Sequence, residues 1–363
     1  MRIVGALAFA GLVACSGAQP TALPAPPEAD VNDASSADAS SQATANDGGT
    51  TTPSTWDSAK LEELAAYAES KSTKALLLVA GGETVLERYF GGAGASSTQD
   101  VYSVQKSVTA TLAMIAIEKG LFAIEDTVTS ILGVGWSNAA PAQEEKVTVR
   151  HLLTMTSGLG LKLGFLAEPG TSWLYNDDAF YRVRLVLEKK TGKELDAVAH
   201  EWLFDRVGMT SSKFRARLTK DSKDLPIVGL QTSARDLAIF GGLLRAHGTW
   251  NGTSIVSASS VDEMTKTSQP LNESYGLLFW LNGKSGGLLP FAMPFTGPLV
   301  PSAPADAFAA LGKDDQKMYV ARSLDLVVVR LGGSAGDSKN ALSSFDDELW
   351  KRIVAAKPAQ TSP

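Results

Sequence analysis

Strand-forming segments near both ends of the folded chain, separated by a long helical stretch, constrain this protein more than any other feature of its sequence. Residues 75–79 and 84–90 read as short strands flanking Gly81-Gly82, a hairpin signature, and further strand signals fall at 305–310, 316–321 and 326–331. Between them, residues 104–244 carry long apolar-periodic runs broken at Gly120, Gly158, Gly192 and Gly208, as successive helices would be. Helices are also predicted at 57–70, where Leu61, Leu64, Ala65 and Tyr67 recur at helical spacing, and at 345–355. The expected fold is α+β: an antiparallel sheet built from both chain ends, flanked by helices, with an inserted mostly helical lobe. A cleft between sheet and lobe is the natural place for a site.

The 363 residues are 44% hydrophobic and 20% charged, enough apolar mass for a large core. A net charge of −6 offers no basic surface for nucleic acid. One cysteine excludes an internal disulfide framework, and three histidines, His151, His200 and His247, leave little for a zinc cage, so no metal or other cofactor is expected.

The chain opens on Met1-Arg2, an apolar run over residues 3–14 and Cys15. The run is shorter than the about 20 residues that span a bilayer and has the proportions of a signal-peptide core. Leu12-Val13-Ala14-Cys15 resembles the bacterial lipobox. That likeness implies cleavage after residue 14 and lipid attachment at Cys15, hence an exported protein held to a membrane of the bacterial cell envelope. An ordinary secretory signal is the alternative. Residues 15–55 are rich in Ala, Ser, Thr, Pro, Gly and Asp, which bury too little surface to offset chain ordering, and read as a flexible tether. Residues 56–357 contain no second linker or internal repeat and read as one domain, with 358–363 a flexible tail.

Two serine contexts compete for the role of nucleophile. Gly332-Gly333-Ser334-Ala335-Gly336 matches the G-x-S-x-G elbow, but that chemistry requires a histidine after the serine, and the last histidine is His247. A glycine-rich loop is the better reading of it. Ser103-Val104-Gln105-Lys106 is the only S-x-x-K, and the i, i+3 spacing puts hydroxyl and ammonium on one helical face. The residues that follow, 108–117, are apolar nearly all round, which signals a buried helix closed by Lys119-Gly120. Ser103 would sit at the helix N-terminus, where free N–H groups favour a developing negative charge. Lys106 would lose hydration there and become a better base. An N-cap serine beside a lysine reaching for solvent fits the same segment.

These residues, in order, resemble the serine β-lactamase/penicillin-binding-protein superfamily, in particular its class C-like branch of esterases, D-amino peptidases and nylon-oligomer hydrolases. Residues 102–107, Tyr-Ser-Val-Gln-Lys-Ser, look like the nucleophile helix, and residues 149–159 look like the next helix and turn. Trp173-Leu174-Tyr175-Asn176-Asp177 is similar to the family's Tyr-x-Asn motif; Glu188, Thr191-Gly192 and Val207-Gly208-Met209 follow in the expected order. The likeness spans about residues 61–331. It implies that Tyr175 lies beside Ser103 and Lys106 and that phenol and ammonium act as one coupled base, shuttling the serine's proton to the leaving group. It leaves His151 a structural role.

Two departures bear on chemistry. Asp177 replaces the motif's Asn and puts a carboxylate near Lys106, which favours the charged lysine and shifts base function towards Tyr175. On the late strand, Ala310-Leu311-Gly312-Lys313 aligns with the third motif, keeping Gly312 but not its Lys and Thr. In this register the backbone N–H groups of Ser103 and Lys313 form the oxyanion hole, a contribution of roughly 3 kcal/mol. A shifted register over Lys313-Asp314-Asp315 is the second choice. Asp177 and Gly312 are expected to line the substrate cleft. Loss of the Lys and Thr that grip a substrate carboxylate points to neutral esters or amides, and residues 283–304, with Phe291, Met293 and Phe295, to an apolar wall or a surface excursion.

The expected function is a serine hydrolase working through an acyl-enzyme on Ser103 and acting on a small ester, amide or peptide. A β-lactamase or D-Ala-D-Ala carboxypeptidase is the second reading. A non-catalytic envelope binding protein, suggested by Asp177 and Asp315 at motif positions, is the third.

Overall fold

Three consecutive buried strands, preceded by a short edge strand and joined by a hairpin from the opposite end of the folded chain, make the sheet on which the rest is built. The structure, a computed structural model, describes residues 56–336 and 342–357. The predicted signal peptide (1–14), the tether with Cys15 (15–55) and the tail (358–363) lie outside the described residues.

Helix α1 (Ser58–Glu69), capped by the Asp57 carboxylate on the Lys60 N–H, leads into the hairpin β1 (Thr73–Ala80) and β2 (Glu83–Tyr89). Buried helix α2 (Gln105–Glu118) and the amphipathic α3 (Asp177–Thr191) belong to the inserted lobe, and α4 (Ala234–Arg245) leads out of it. The chain returns through β3 (Trp280–Leu281), β4 (Phe308–Gly312), β5 (Gln316–Ala321) and β6 (Leu326–Gly332), and ends in α5 (Ser344–Ala356). The strand order is β2-β1-β6-β5-β4-β3, antiparallel throughout, so the early hairpin joins the late meander through the β1–β6 ladder. The α+β architecture read from the sequence is the one observed.

Both faces of the sheet are covered, and the register shows how. Met318 pairs with Val329 and Tyr319 with Val328, so neighbouring positions point to opposite faces. On one face α4 lies close enough that a Cβ on Gly241 would stand 2.5 Å from Val327 Cγ1 and 3.3 Å from Met318 Sδ. On the other, Trp350 of α5 meets Tyr319 edge-on, and Tyr67 of α1 stacks on Phe345. Residues buried on both faces read as continuous apolar runs, which is why β6 was visible in the sequence.

Two differences from the sequence reading have physical causes. The strand expected at 305–310 runs instead over Phe308–Gly312, because the Ala307 N–H closes a turn on the Pro304 carbonyl before pairing with β5 begins. The lobe also holds a three-stranded sheet, Thr98–Asp100, Pro226–Ser233 and Lys213–Lys220. Lys213–Lys220 is largely solvent-exposed and polar, so it carries no alternating apolar signal, and its partner strand pairs with residues far away in sequence.

Beneath the sheet lies a buried charge network. Lys317, fully buried, contacts Asp315 at 2.9 Å and Asp346 at 2.7 Å, and the Tyr319 hydroxyl donates to Asp346. Arg330 donates to Thr73 and to the carbonyls of Lys71, Asp314 and Asp315. Removing the cation would leave two carboxylates in the interior. Lys317→Met is therefore expected to destabilise the domain by about 3–5 kcal/mol, read as a lower urea midpoint at unchanged slope; a midpoint equal to wild type would show that the network contributes nothing.

Candidate active site

The apolar run after Ser103 produces a helix that can only live in the core: in α2 every residue from Gln105 to Ala116 is buried. A 3-10 turn, Tyr102–Val104, precedes it and carries Ser103. Tyr102 takes a left-handed conformation, φ +48°, which costs a non-glycine residue about 1–2 kcal/mol. Its N–H donates to Asp100 Oδ1 at 2.8 Å, and Arg217 holds the Asp100 carboxylate bidentately at 2.6 and 2.7 Å. This clamp, which the sequence reading missed, fixes the turn that presents Ser103. Its members lie on two strands of the unforeseen lobe sheet.

Lys106 Nζ donates to Ser103 Oγ at 2.9 Å and contacts Asp177 Oδ1 at 2.6 Å, with only 3% of its side chain exposed. The lysine therefore does not reach for solvent, and the turn has no serine cap. Tyr175 lines the same cleft as Ser103, and the rings of Tyr175 and Phe180 lie 4.9 and 4.7 Å from Lys106 Nζ. Ser103, Lys106, Tyr175 and Asp177 are thus brought together from two segments distant in sequence.

Burial pulls the Lys106 ammonium down, as argued from the sequence, but Asp177 and the neighbouring phenols outweigh it and the net shift is upward. Burial likewise raises Tyr175, against the pull of Lys106. The surroundings therefore favour a charged Lys106 and a neutral Tyr175. Burial of Tyr175 disfavours a phenolate, which bears on the base role expected of it from the sequence.

The end of β4 closes the other side. A Cβ on Gly312 would stand 2.3 Å from the Val101 carbonyl oxygen and 3.2 Å from Val104 Cγ2, so only glycine lets this strand lie against the nucleophile turn. Lys313 consequently lines the same cleft as Ser103, while its ammonium sits 5.4 Å from the Tyr102 ring centre. Asp315 does not face the cleft: it is fully buried, accepting from the Ala335 N–H at 2.7 Å and the Ser343 hydroxyl at 2.9 Å and paired with Lys317. The shifted register over Lys313-Asp314-Asp315, and the reading of Asp315 as a motif residue, are corrected accordingly.

The cleft, about 350 Å³, is lined by Ser103, Tyr175, Asp177, Asp178 and Lys313, with Leu161, Trp280, Pro290 and Phe291 on its apolar side. Residues 283–304 thus contribute to its wall. Trp280, stacked on Tyr175 at 6.0 Å and 16°, was not foreseen, because nothing local distinguishes it from a core tryptophan. A second, apolar pocket shares Trp280 and Pro290 and adds Leu289, Met293, Leu299 and Leu311. Asn176 is structural, capping α3 through Ala179 and donating to the Leu159 and Gly160 carbonyls. His151 caps its helix through Thr148, and Ser334 Oγ donates to the Gly336 carbonyl in a loop.

The profile of the β-lactamase family matches residues 61–341, which covers both motif segments and the whole sheet. The chain belongs to the β-lactamase family. An uncharacterized protein of Alkalihalophilus pseudofirmus is 24% identical over 299 residues, 73% of this chain and 85% of the relative. Among solved structures, a family VIII carboxylesterase superposes with a TM-score of 0.63 at 18% identity, covering 85% of this chain and 98% of the other. A penicillin-binding protein homologue from Caulobacter crescentus gives 0.62 at 13% identity over 82% and 97%, and a β-lactamase from Mycobacterium bovis 0.60 at 21% over 83% and 100%. At these identities the structures share the fold with this β-lactamase-family chain. Proteins described as a carboxylesterase and a β-lactamase share this fold.

The charge on Lys106 gives this site a testable signature. A folded value above the ordinary 10.5 means that Lys106 contributes stability that is complete below 10.5 and lost as pH rises through the folded value. In Asp177→Asn the burial that opposes the charge loses its main counterweight, so Lys106 should titrate at lower pH than in wild type. Nζ chemical shifts in 15N-lysine-labelled folded protein measure this directly; identical titrations would show that Asp177 does not hold the charge.

Proposed function

We propose that this chain is a serine hydrolase that cleaves neutral esters or amides through an acyl-enzyme on Ser103. The observation that carries the reading is the 2.9 Å contact from Lys106 Nζ to Ser103 Oγ inside a cleft that Tyr175 and Lys313 also line. Ser103 Oγ attacks the carbonyl carbon while its proton passes to the Tyr175 oxygen and the phenol's own proton passes to the leaving group. Lys106 stays charged and steadies the negative charge that develops on Oγ. The N–H groups of Ser103 and Lys313 receive the oxyanion.

Substrate preference follows from the walls. The Lys-Thr pair of the family's third motif is missing, so a substrate carboxylate is poorly served. The apolar side of the cleft, formed by Leu161, Trp280, Pro290 and Phe291, suits a short aliphatic acyl group. Attachment of the mature chain to an envelope membrane through Cys15 belongs to the same proposal, with Cys15→Ser expected to move the protein into the soluble fraction.

Intact-mass measurement after fluorophosphonate treatment should show one adduct on wild type and none on Ser103→Ala; a folded wild type without adduct would favour a binding protein. Hydrolysis of p-nitrophenyl butyrate is expected to exceed that of nitrocefin at least tenfold in kcat/KM, and the reverse order would favour the β-lactamase reading. Tyr175→Phe should lower the acylation rate about 10²- to 10³-fold. Nearly full acylation in Tyr175→Phe together with loss in Lys106→Met would remove Tyr175 from the shuttle.

A further inference from the structure

Hydrolysis of the acyl-enzyme requires an acceptor for a water proton; of the two groups closest to Ser103, a charged Lys106 has no free lone pair and Tyr175 takes a proton only as it hands its own on. Lys106 is held charged, Tyr175 is held neutral, and both are buried. Asp177 is different: its side chain is 54% exposed, it lines the cleft beside Ser103, and one of its oxygens is already fixed by Lys106. The two Lys106 contacts, 2.9 and 2.6 Å, keep Asp177 Oδ1 within 5.5 Å of Ser103 Oγ, about the span of one hydrogen-bonded water. The position is also stiff, since Asp177 is the first residue of α3, whose start is anchored by Asn176.

We infer that Asp177 is the general base of deacylation, a step that rests on the acyl-enzyme reading above. Asp177 takes a proton from a water in the cleft as the water oxygen bonds to the acyl carbonyl carbon. The tetrahedral adduct then collapses: the carbon–Oγ bond breaks, and Oγ takes a proton from Lys106. Lys106 is restored by the proton that Asp177 received, across the same 2.6 Å contact. The sum is acyl-Ser103 plus water giving free Ser103 and a carboxylic acid, with every group returned to its starting charge. Glutamate at this position would shift the oxygen by a methylene, and asparagine keeps the shape without the basicity.

The test is pre-steady-state hydrolysis of p-nitrophenyl butyrate by the folded domain, followed by intact mass. Asp177→Asn is expected to give a burst of about one equivalent of p-nitrophenol, then turnover at least 100-fold below wild type, with the butyryl adduct on Ser103 as the dominant species. Asp177→Gly with added formate should recover turnover, whereas Tyr175→Phe with formate should not. Asp177→Asn turning over within threefold of wild type, or turning over slowly with free enzyme as the only species, overturns the inference while leaving the hydrolase reading standing. Absence of any Ser103-linked butyryl group in both wild type and Asp177→Asn overturns both.

Discussion

The interaction on which this site depends is the burial of one ammonium ion. Lys106 sits one turn into a helix with no exposed face, where a charge without partners is costly. It is tolerated because Ser103, Asp177 and two aromatic rings surround it. Each of those partners is thereby fixed: the serine points at the lysine, and α3 must start where Asp177 can reach it. The electrostatic requirement of one residue thus sets the mutual position of the nucleophile turn and the second motif.

The sheet supplies the other constraint. The site needs β4 against the turn that carries Ser103, and Gly312 makes that approach possible by having no side chain. The strand itself is held between the short edge strand β3 and β5, whose ladder continues through β6 to the hairpin from the chain's beginning. A cleft that looks local is therefore backed by residues from both ends of the folded chain, and the buried Asp315–Lys317–Asp346 group sits directly behind it.

How much was readable beforehand can be traced residue by residue. Ser103 and Lys106 were legible because a fixed spacing and a wholly apolar helix are sequence properties, and Tyr175 because its segment resembles the family's Tyr-x-Asn motif. The departure at Asp177 was legible as a carboxylate near a lysine, but not its outcome. Which of burial and ion pairing governs the Lys106 charge depends on a 2.6 Å distance that no spacing encodes. Arg217 and Trp280 were invisible for another reason: they reach the site from the lobe sheet and the edge strand, through pairings with residues far along the chain.

Asp315 shows the same division. The second-choice register over Lys313-Asp314-Asp315 put it beside the cleft, whereas the tight turn with Asp314 and Asp315 at positive φ swings it into the interior towards Lys317. By itself the sequence determined the principal helices and the hairpin and late strands of the large sheet, that this sheet joins both chain ends, and which hydroxyl and ammonium share a helical face. These follow from periodicity and short-range spacing. Only the tertiary structure decided which carboxylate meets which cation and which apolar residues wall the cleft, because those contacts depend on how distant segments pack in three dimensions.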